Sequence, residues 1–395
     1  MIVLLLLPMV IFFPSLTIFF VQDDFFLLSI SQAHTVTEFL QFFVPLKQTV
    51  WYRPISSQVF FFIDRFVFGL HPFPFHIVVI LTHIYTAILI YKLVILITKN
   101  KSAAIWAAFF YGTAQIHTIA LAWLSAYSFV LGPLCLVMAL DYFISKKYIK
   151  TYITFIIGLL SSELLFIFPL VIISYQLITY KHLKLKPLVP LFLIIGLTFS
   201  LRFIFFPTQI TTHLYSFQIS AQIITTSKFY FLRLLGLPFF TSGLPSVLKF
   251  ISILLVIILT GIFVFFLKYL KKEPKLLNYL GFFITWALLG LLPFLFLTDH
   301  TAPHYLSFAY IGVSICLGLL VSIYPSKKIL SLRTAGLLTY LIIQVIGARW
   351  TYQTHWLFQR ARLAQKLVEK KQLIHPIGSE EYFSLGANSA AEVIK

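Results

Sequence analysis

Acidic residues are scarce in this chain: Asp and Glu number 12 against 30 Lys and Arg in 395 residues. With so few carboxylates, the position of each one is informative. Cysteine is nearly absent, and Cys135 and Cys316 both fall inside apolar runs, so nothing supports a disulfide framework or a thiolate metal site. There is no HExxH motif and no paired-acid spacing of the kind that marks a metal centre; the expectation is that no metal and no other cofactor is required. No internal repeat or low-complexity linker divides the chain.

Apolar residues make up 60% of the chain, 44 of them Phe, and mean hydropathy is +0.95. No soluble core hides that much apolar surface, so the solvent for most of the chain is lipid. A net charge of +18 would suggest nucleic acid in a soluble protein. Here the basic residues fall in short clusters between apolar runs, which speaks for topology and against a nucleic-acid partner. A crossing needs about 20 residues for about 30 Å of hydrocarbon. Candidates are 2–21, 73–97, 103–117, 122–144, 187–206, 246–267, 276–297, 304–324 and 329–348. The first lacks a basic leader region and a small-residue cleavage site, so it is expected to be a retained span.

Lys/Arg clusters at Lys99/Lys101, Lys146/Lys147/Lys150, Lys181/Lys184/Lys186, Lys268/Lys271/Lys272/Lys275 and Lys327/Lys328/Arg333 alternate with loops at 118–121, 207–227 and 298–303 that carry none. Positive-inside logic puts the clusters in the cytoplasm. Lys150 and Lys181 then lie on one side, so the chain between them goes out and back as two short helices, 150–162 and 163–180. The expected fold is all-α, a polytopic bundle of about eleven crossings. The N-terminus would be inside, and the segment 22–72 and the tail 349–395 outside. Residues 1–348 form the membrane domain. The outer segment 22–72 is long for a connector, and its amphipathic stretch Ile55 to Leu70 suits an interfacial helix. The tail reads as helix from Trp356 to Lys371, then as a weakly ordered Gly/Ser/Ala-rich end at 378–391.

Asp23 and Asp24 stand side by side just after the first apolar run. Two adjacent acids at a membrane mouth repel each other and are poorly solvated, which is a reason to expect chemistry there. A carboxylate at the rim of an outward cavity can take a proton from an incoming hydroxyl; the bland alternative is a solvated helix end. Arg53, flanked by Tyr52 and Pro54, suits a helix start that holds phosphate or pairs with an aspartate, or else an interfacial anchor. Arg202 sits in the last turns of an apolar span, where it either binds a lipid phosphate or snorkels. Glu163, in an apolar hairpin, needs a buried partner, a hydrophilic cavity or a capping role. His76 and His83 share one helical face, and His117 and His304 fall near outer ends; scattered histidines of this kind are usually packing residues.

These residues carry a resemblance. Asp23-Asp24 after the first span is followed by Tyr52-Arg53-Pro54-Ile55, by Phe68-Gly69-Leu70-His71-Pro72-Phe73 leading to Phe75-His76, and by Thr82-His83. The block resembles the GT-C superfamily of polyprenyl-phosphate-sugar-dependent glycosyltransferases, most of all the membrane part of the transmembrane-and-tetratricopeptide O-mannosyltransferases and their bacterial relatives. Weaker echoes are His117 with Ala122-Trp123-Leu124-Ser125, Ser161-Ser162-Glu163 with Pro169, His304-Tyr305-Leu306, and Arg349-Trp350 through Trp356. Ser162 and His304 stand where the family has a lysine and an arginine, and no repeat domain follows.

The resemblance implies inverting transfer of a mannose-like hexose from a polyprenyl-phosphate donor to a hydroxyl on the outer face. The acceptor would be a protein, lipid or glycan. Asp23 would be the base and Asp24 its orienting neighbour. Arg53, Arg202 and His304 would serve the donor phosphate, with Tyr52, His76, His83, His117 and Glu163 in support. A prokaryotic plasma membrane is the expected location. The rival readings are a transporter or flippase of lipid-linked sugars, a polymerase of lipid-linked glycans, and a non-catalytic relative that binds lipid-linked sugar.

Overall fold

The computed structural model describes residues 2–45, 51–205, 218–234, 236, 250, 273–323 and 327–369. Among these the chain is helical throughout, with no strand. Among the described residues five helices are long and apolar enough to cross a membrane: Pro72–Thr98, Leu124–Ile144, Glu163–Tyr180, Pro274–Leu295 and Pro303–Ser322. Shorter apolar helices run over Leu6–Thr17, Tyr148–Leu159 and Val189–Leu201. The protein therefore has the architecture of an integral membrane protein. The expected span 246–267, most of the cluster Lys268 to Lys275 and the tail segment 378–391 lie outside the described residues.

Local chemistry explains the element ends. Pro72 opens the longest span at a position where its missing N–H is no loss. Lys99 ends that span in the left-handed conformation (φ 57°), and Asn100 then caps the next helix, Lys101–Thr113, accepting from the Ala103 amide at 3.0 Å. Lys146 and Lys181 adopt the same left-handed conformation (φ 58° and 53°). Each follows a helix C-terminus, where a cation meets unpaired carbonyls.

The centre of the bundle is built on close approach. Helix Ser307–Ser322 lies between Pro274–Leu295 and Lys101–Thr113. A Cβ at Gly312 would stand 2.3 Å from the Phe283 carbonyl oxygen, and one at Gly318 2.6 Å from that of Ala103. Without a hydrophobic drive between helices in lipid, such small-residue contacts supply the dispersion that holds spans together.

The described residues of the segment 22–72 form short helices: Asp23–Ile30, Val36–Gln41, a wider turn at Ile55–Val59, and Phe60–Phe68. On the last, Phe60, Phe61 and Asp64 are buried, while Ile63, Phe66 and Val67 are exposed. The amphipathicity expected of Ile55 to Leu70 is thus present with an apolar outer face, as a helix lying against lipid requires. Helix Trp356–Glu369 packs on the bundle through Leu357, Phe358, Ala361, Ala364 and Leu367. A hydrogen bond of 2.6 Å between Tyr352 Oη and Ser15 Oγ ties the preceding helix to the N-terminal one.

Candidate active site

The two acids open helix Asp23–Ile30, where negative charge complements the helix dipole, but their side chains differ in what surrounds them. Asp24 is buried at 1% exposure. Its Oδ2 accepts from the Val21 amide at 3.0 Å, reaching back as an N-terminal capping acid does. Its Oδ1 accepts from the amide (2.8 Å) and the hydroxyl (2.5 Å) of Ser125. Burial pushes its carboxyl up to about 7, against the downward pull of those three donors. Asp23 is exposed at the surface, yet protein encloses it on most sides and the desolvation raises its carboxyl above the ordinary range. Asp24 is anchored; Asp23 is presented.

Ser125, which holds Asp24, lies three residues before Ser128, whose hydroxyl accepts a hydrogen bond from Nη1 of Arg53 at 3.0 Å. The rest of that guanidinium clasps Glu163: Nε to Oε2 at 2.5 Å and Nη2 to Oε1 at 2.8 Å. The pair is only part-buried, with side-chain exposures of 19% and 27%. Glu163 thus has the partner its apolar setting demanded, and the acid opposite Arg53 is a glutamate rather than an aspartate. Trp51 and Phe129 flank the guanidinium, with centroids 5.9 and 5.5 Å from Cζ.

Phe129 continues the wall. His304 meets it at 4.8 Å between centroids and Trp123 at 6.3 Å, and Trp123 in turn meets Trp356 at 5.7 Å. His304 is 6% exposed, and its Nδ1 has no hydrogen-bond partner; neither does Trp123 Nε1 or Ser162 Oγ, although each atom is buried. Such unsatisfied buried polar atoms are uncommon in folded proteins. From the tail helix, Arg360 reaches Gln22 Oε1 at 3.4 Å, immediately before Asp23.

The structure therefore brings Asp23, Asp24, Arg53, Glu163 and His304 to one end of the bundle. The other residues singled out from the sequence do different work. His76 bridges two chain segments, with Nε2 3.0 Å from the Ile18 carbonyl and Nδ1 3.3 Å from that of Leu121. His83 binds the Gly112 carbonyl at 3.2 Å and packs on Tyr111 and His117, deep in the core. His117 is buried with its Nε2 unpartnered. Tyr52 donates to the Phe43 carbonyl at 2.7 Å and pins the outer segment. Arg202 lies on helix Val189–Phe205, its side chain outside the described residues.

Gln22, Ser128, Phe129 and Arg360 escaped sequence reasoning. Only Gln22, next to the acid pair, had a signal in its position. Among the described residues no three of His, Cys, Asp and Glu are grouped to hold a metal ion. No family model, curated protein or solved structure matches the chain.

Proposed function

We propose that the protein is an integral-membrane glycosyltransferase of GT-C-like fold, with about eleven crossings, that moves a sugar from a polyprenyl-phosphate donor to an acceptor hydroxyl at the outer face of the membrane. One observation carries the reading. Asp24 and Arg53 are hydrogen-bonded to Ser125 and Ser128, three residues apart at one end of a single span. The neighbour that orients the candidate base and a cation are thereby fixed to the same short piece of chain, next to aromatic side chains.

The chemistry such a site performs is displacement at the anomeric carbon. Asp23 takes the proton of the acceptor hydroxyl as its oxygen bonds to that carbon. The bond from carbon to the donor phosphate breaks on the opposite face, inverting the configuration, and the prenyl phosphate leaves with the electron pair. Asp24, fastened by Val21 and Ser125, sets the first turn of the helix and so the direction of Asp23. The Arg53–Glu163 pair is neutral as a unit, so its effect on a phosphate is directional through N–H groups rather than through net charge. The prenyl chain would lie among lipid-facing spans.

The test is transfer by the purified full-length protein in lipid nanodiscs, given a radiolabelled polyprenyl-phosphate hexose and a panel of peptide, lipid and glycan alcohols. The reading predicts release of single sugars onto an alcohol with inverted anomeric configuration. Movement of intact donor between leaflets, long polymers, or binding without release would each contradict it.

A further inference from the structure

Burial of Leu357, Phe358, Ala361, Ala364 and Leu367 seats the tail helix on the bundle and fixes where its first turn points. Trp356 packs edge-on to Trp123 (5.7 Å between centroids). One turn later, Arg360 lays its guanidinium over the Trp356 ring with Cζ 4.7 Å from the centroid. Its Nη1 lies 3.4 Å from Gln22 Oε1. A guanidinium over an indole face is held in place by the contact, and this one also reaches Gln22. Gln22 has an unusual backbone, φ 51° and ψ −112°. Among the described residues, the other positive-φ residues that are not glycine, Lys99, Lys146 and Lys181, follow helix ends in the basic clusters. Gln22 instead sits before the acid helix, where local strain of this kind accompanies function.

Arg53, one of the two arginines that the sequence puts forward for phosphate, clasps Glu163 through its guanidinium, and the side chain of the other, Arg202, lies outside the described residues. Trp123 contributes a buried N–H with no acceptor to the same aromatic wall that carries Arg360. We infer that Arg360, delivered by the tail helix and held on Trp356, is the residue that receives the phosphate of the lipid-linked donor opposite Asp23, with Trp123 as a second donor. This assignment rests on the transferase reading above. It makes the tail helix part of the active site, and it predicts that deleting the helix abolishes recognition of the phosphate group.

The test measures binding of two probes, a polyprenyl monophosphate and the corresponding polyprenol, to the full chain in phosphatidylcholine nanodiscs. Wild type should prefer the phosphate at least tenfold. Arg360→Gln should lose most of that preference, Arg360→Lys should keep part of it, and Arg362→Gln, exposed on the same helix, should behave as wild type. An Arg360→Cys variant is then compared with itself after modification by a cationic or a neutral thiol reagent of equal size, which removes folding from the comparison. Only the cationic adduct should restore the preference. Unchanged preference in Arg360→Gln, or equal rescue by the neutral adduct, would overturn the role of Arg360 and leave the transferase reading standing. Displacement of the probe by phosphatidylglycerol as readily as by unlabelled polyprenyl phosphate would show a site for any lipid phosphate, and would overturn the assignment to the donor. Equal binding of phosphate and alcohol by wild type would overturn both readings.

Discussion

Asp23 and Asp24 are chemically identical neighbours whose surroundings give them different work. Asp23 is accessible with a raised carboxyl, so a base at this position is deprotonated only above the ordinary carboxylate range. The acid limb of kcat/KM against pH is expected to lie above that range, with the rate rising as pH rises and the limb vanishing in Asp23→Asn. For Asp24 the linkage concerns stability. Its folded value, about 7, exceeds the ordinary 3.8, so the fold favours the protonated form. Stability from this group is complete below the ordinary value and is lost as pH rises through about 7. Thermal unfolding in detergent should show a midpoint that falls across that window in wild type and lacks this component in Asp24→Asn. At Arg53 and Glu163, removing one partner leaves a part-buried charge unpaired. Arg53→Gln and Glu163→Gln should each destabilise by about 1–3 kcal/mol, less than the figure for fully buried pairs because this pair is screened. The double variant should be less than additive in a double-mutant cycle.

The helices owe their association to where glycine lets backbones meet. Gly312 and Gly318 lie on different faces of helix Ser307–Ser322, against Phe283 and Ala287 on one side and Ala103 and Ala107 on the other. Gly312→Leu should destabilise the bundle by about 1–3 kcal/mol or prevent its assembly. Gly196→Ala, where an added Cβ meets nothing within 4 Å, should be neutral or slightly stabilising through helix propensity. Detergent unfolding of both variants checks the contrast. At this scale much was legible in the sequence. Long apolar runs became helices at 72–98, 124–144, 274–295 and 303–322, because length and composition decide a span almost alone. Two helices between Lys150 and Lys181, now seen at Tyr148–Leu159 and Glu163–Tyr180, were expected from charge placement. Helix Trp356–Glu369 was legible from its pattern, but not the face that buries it. The side-chain partners were not legible: Arg53 and Glu163 are 110 residues apart, and Arg360 and Gln22 are 338 apart. Such pairings depend on how spans are ordered around the bundle, which no local period encodes.

For the whole molecule, the basic turns at Lys99, Lys146 and Lys181 and the acid pair belong to opposite membrane faces in the proposed topology. In that topology the N-terminus would lie in the cytoplasm, and an odd number of crossings would put the tail helix outside, on the same side as Asp23. Single cysteines placed near the N-terminus and at exposed Gln359 should react with an impermeant thiol reagent only at the second site in intact cells. Reaction of both or neither would break that arrangement. The central claim is narrower: one accessible carboxylate performs the proton transfer, and its buried neighbour only positions it. The most direct measurement is single-turnover sugar transfer from radiolabelled polyprenyl-phosphate hexose by Asp23→Asn and Asp24→Asn, each matched to wild type for expression and thermal stability. The account predicts that Asp23→Asn lowers the rate by about 10²–10⁴-fold with donor binding intact, and that Asp24→Asn keeps a larger share of the activity. Transfer at the wild-type rate by Asp23→Asn would contradict it.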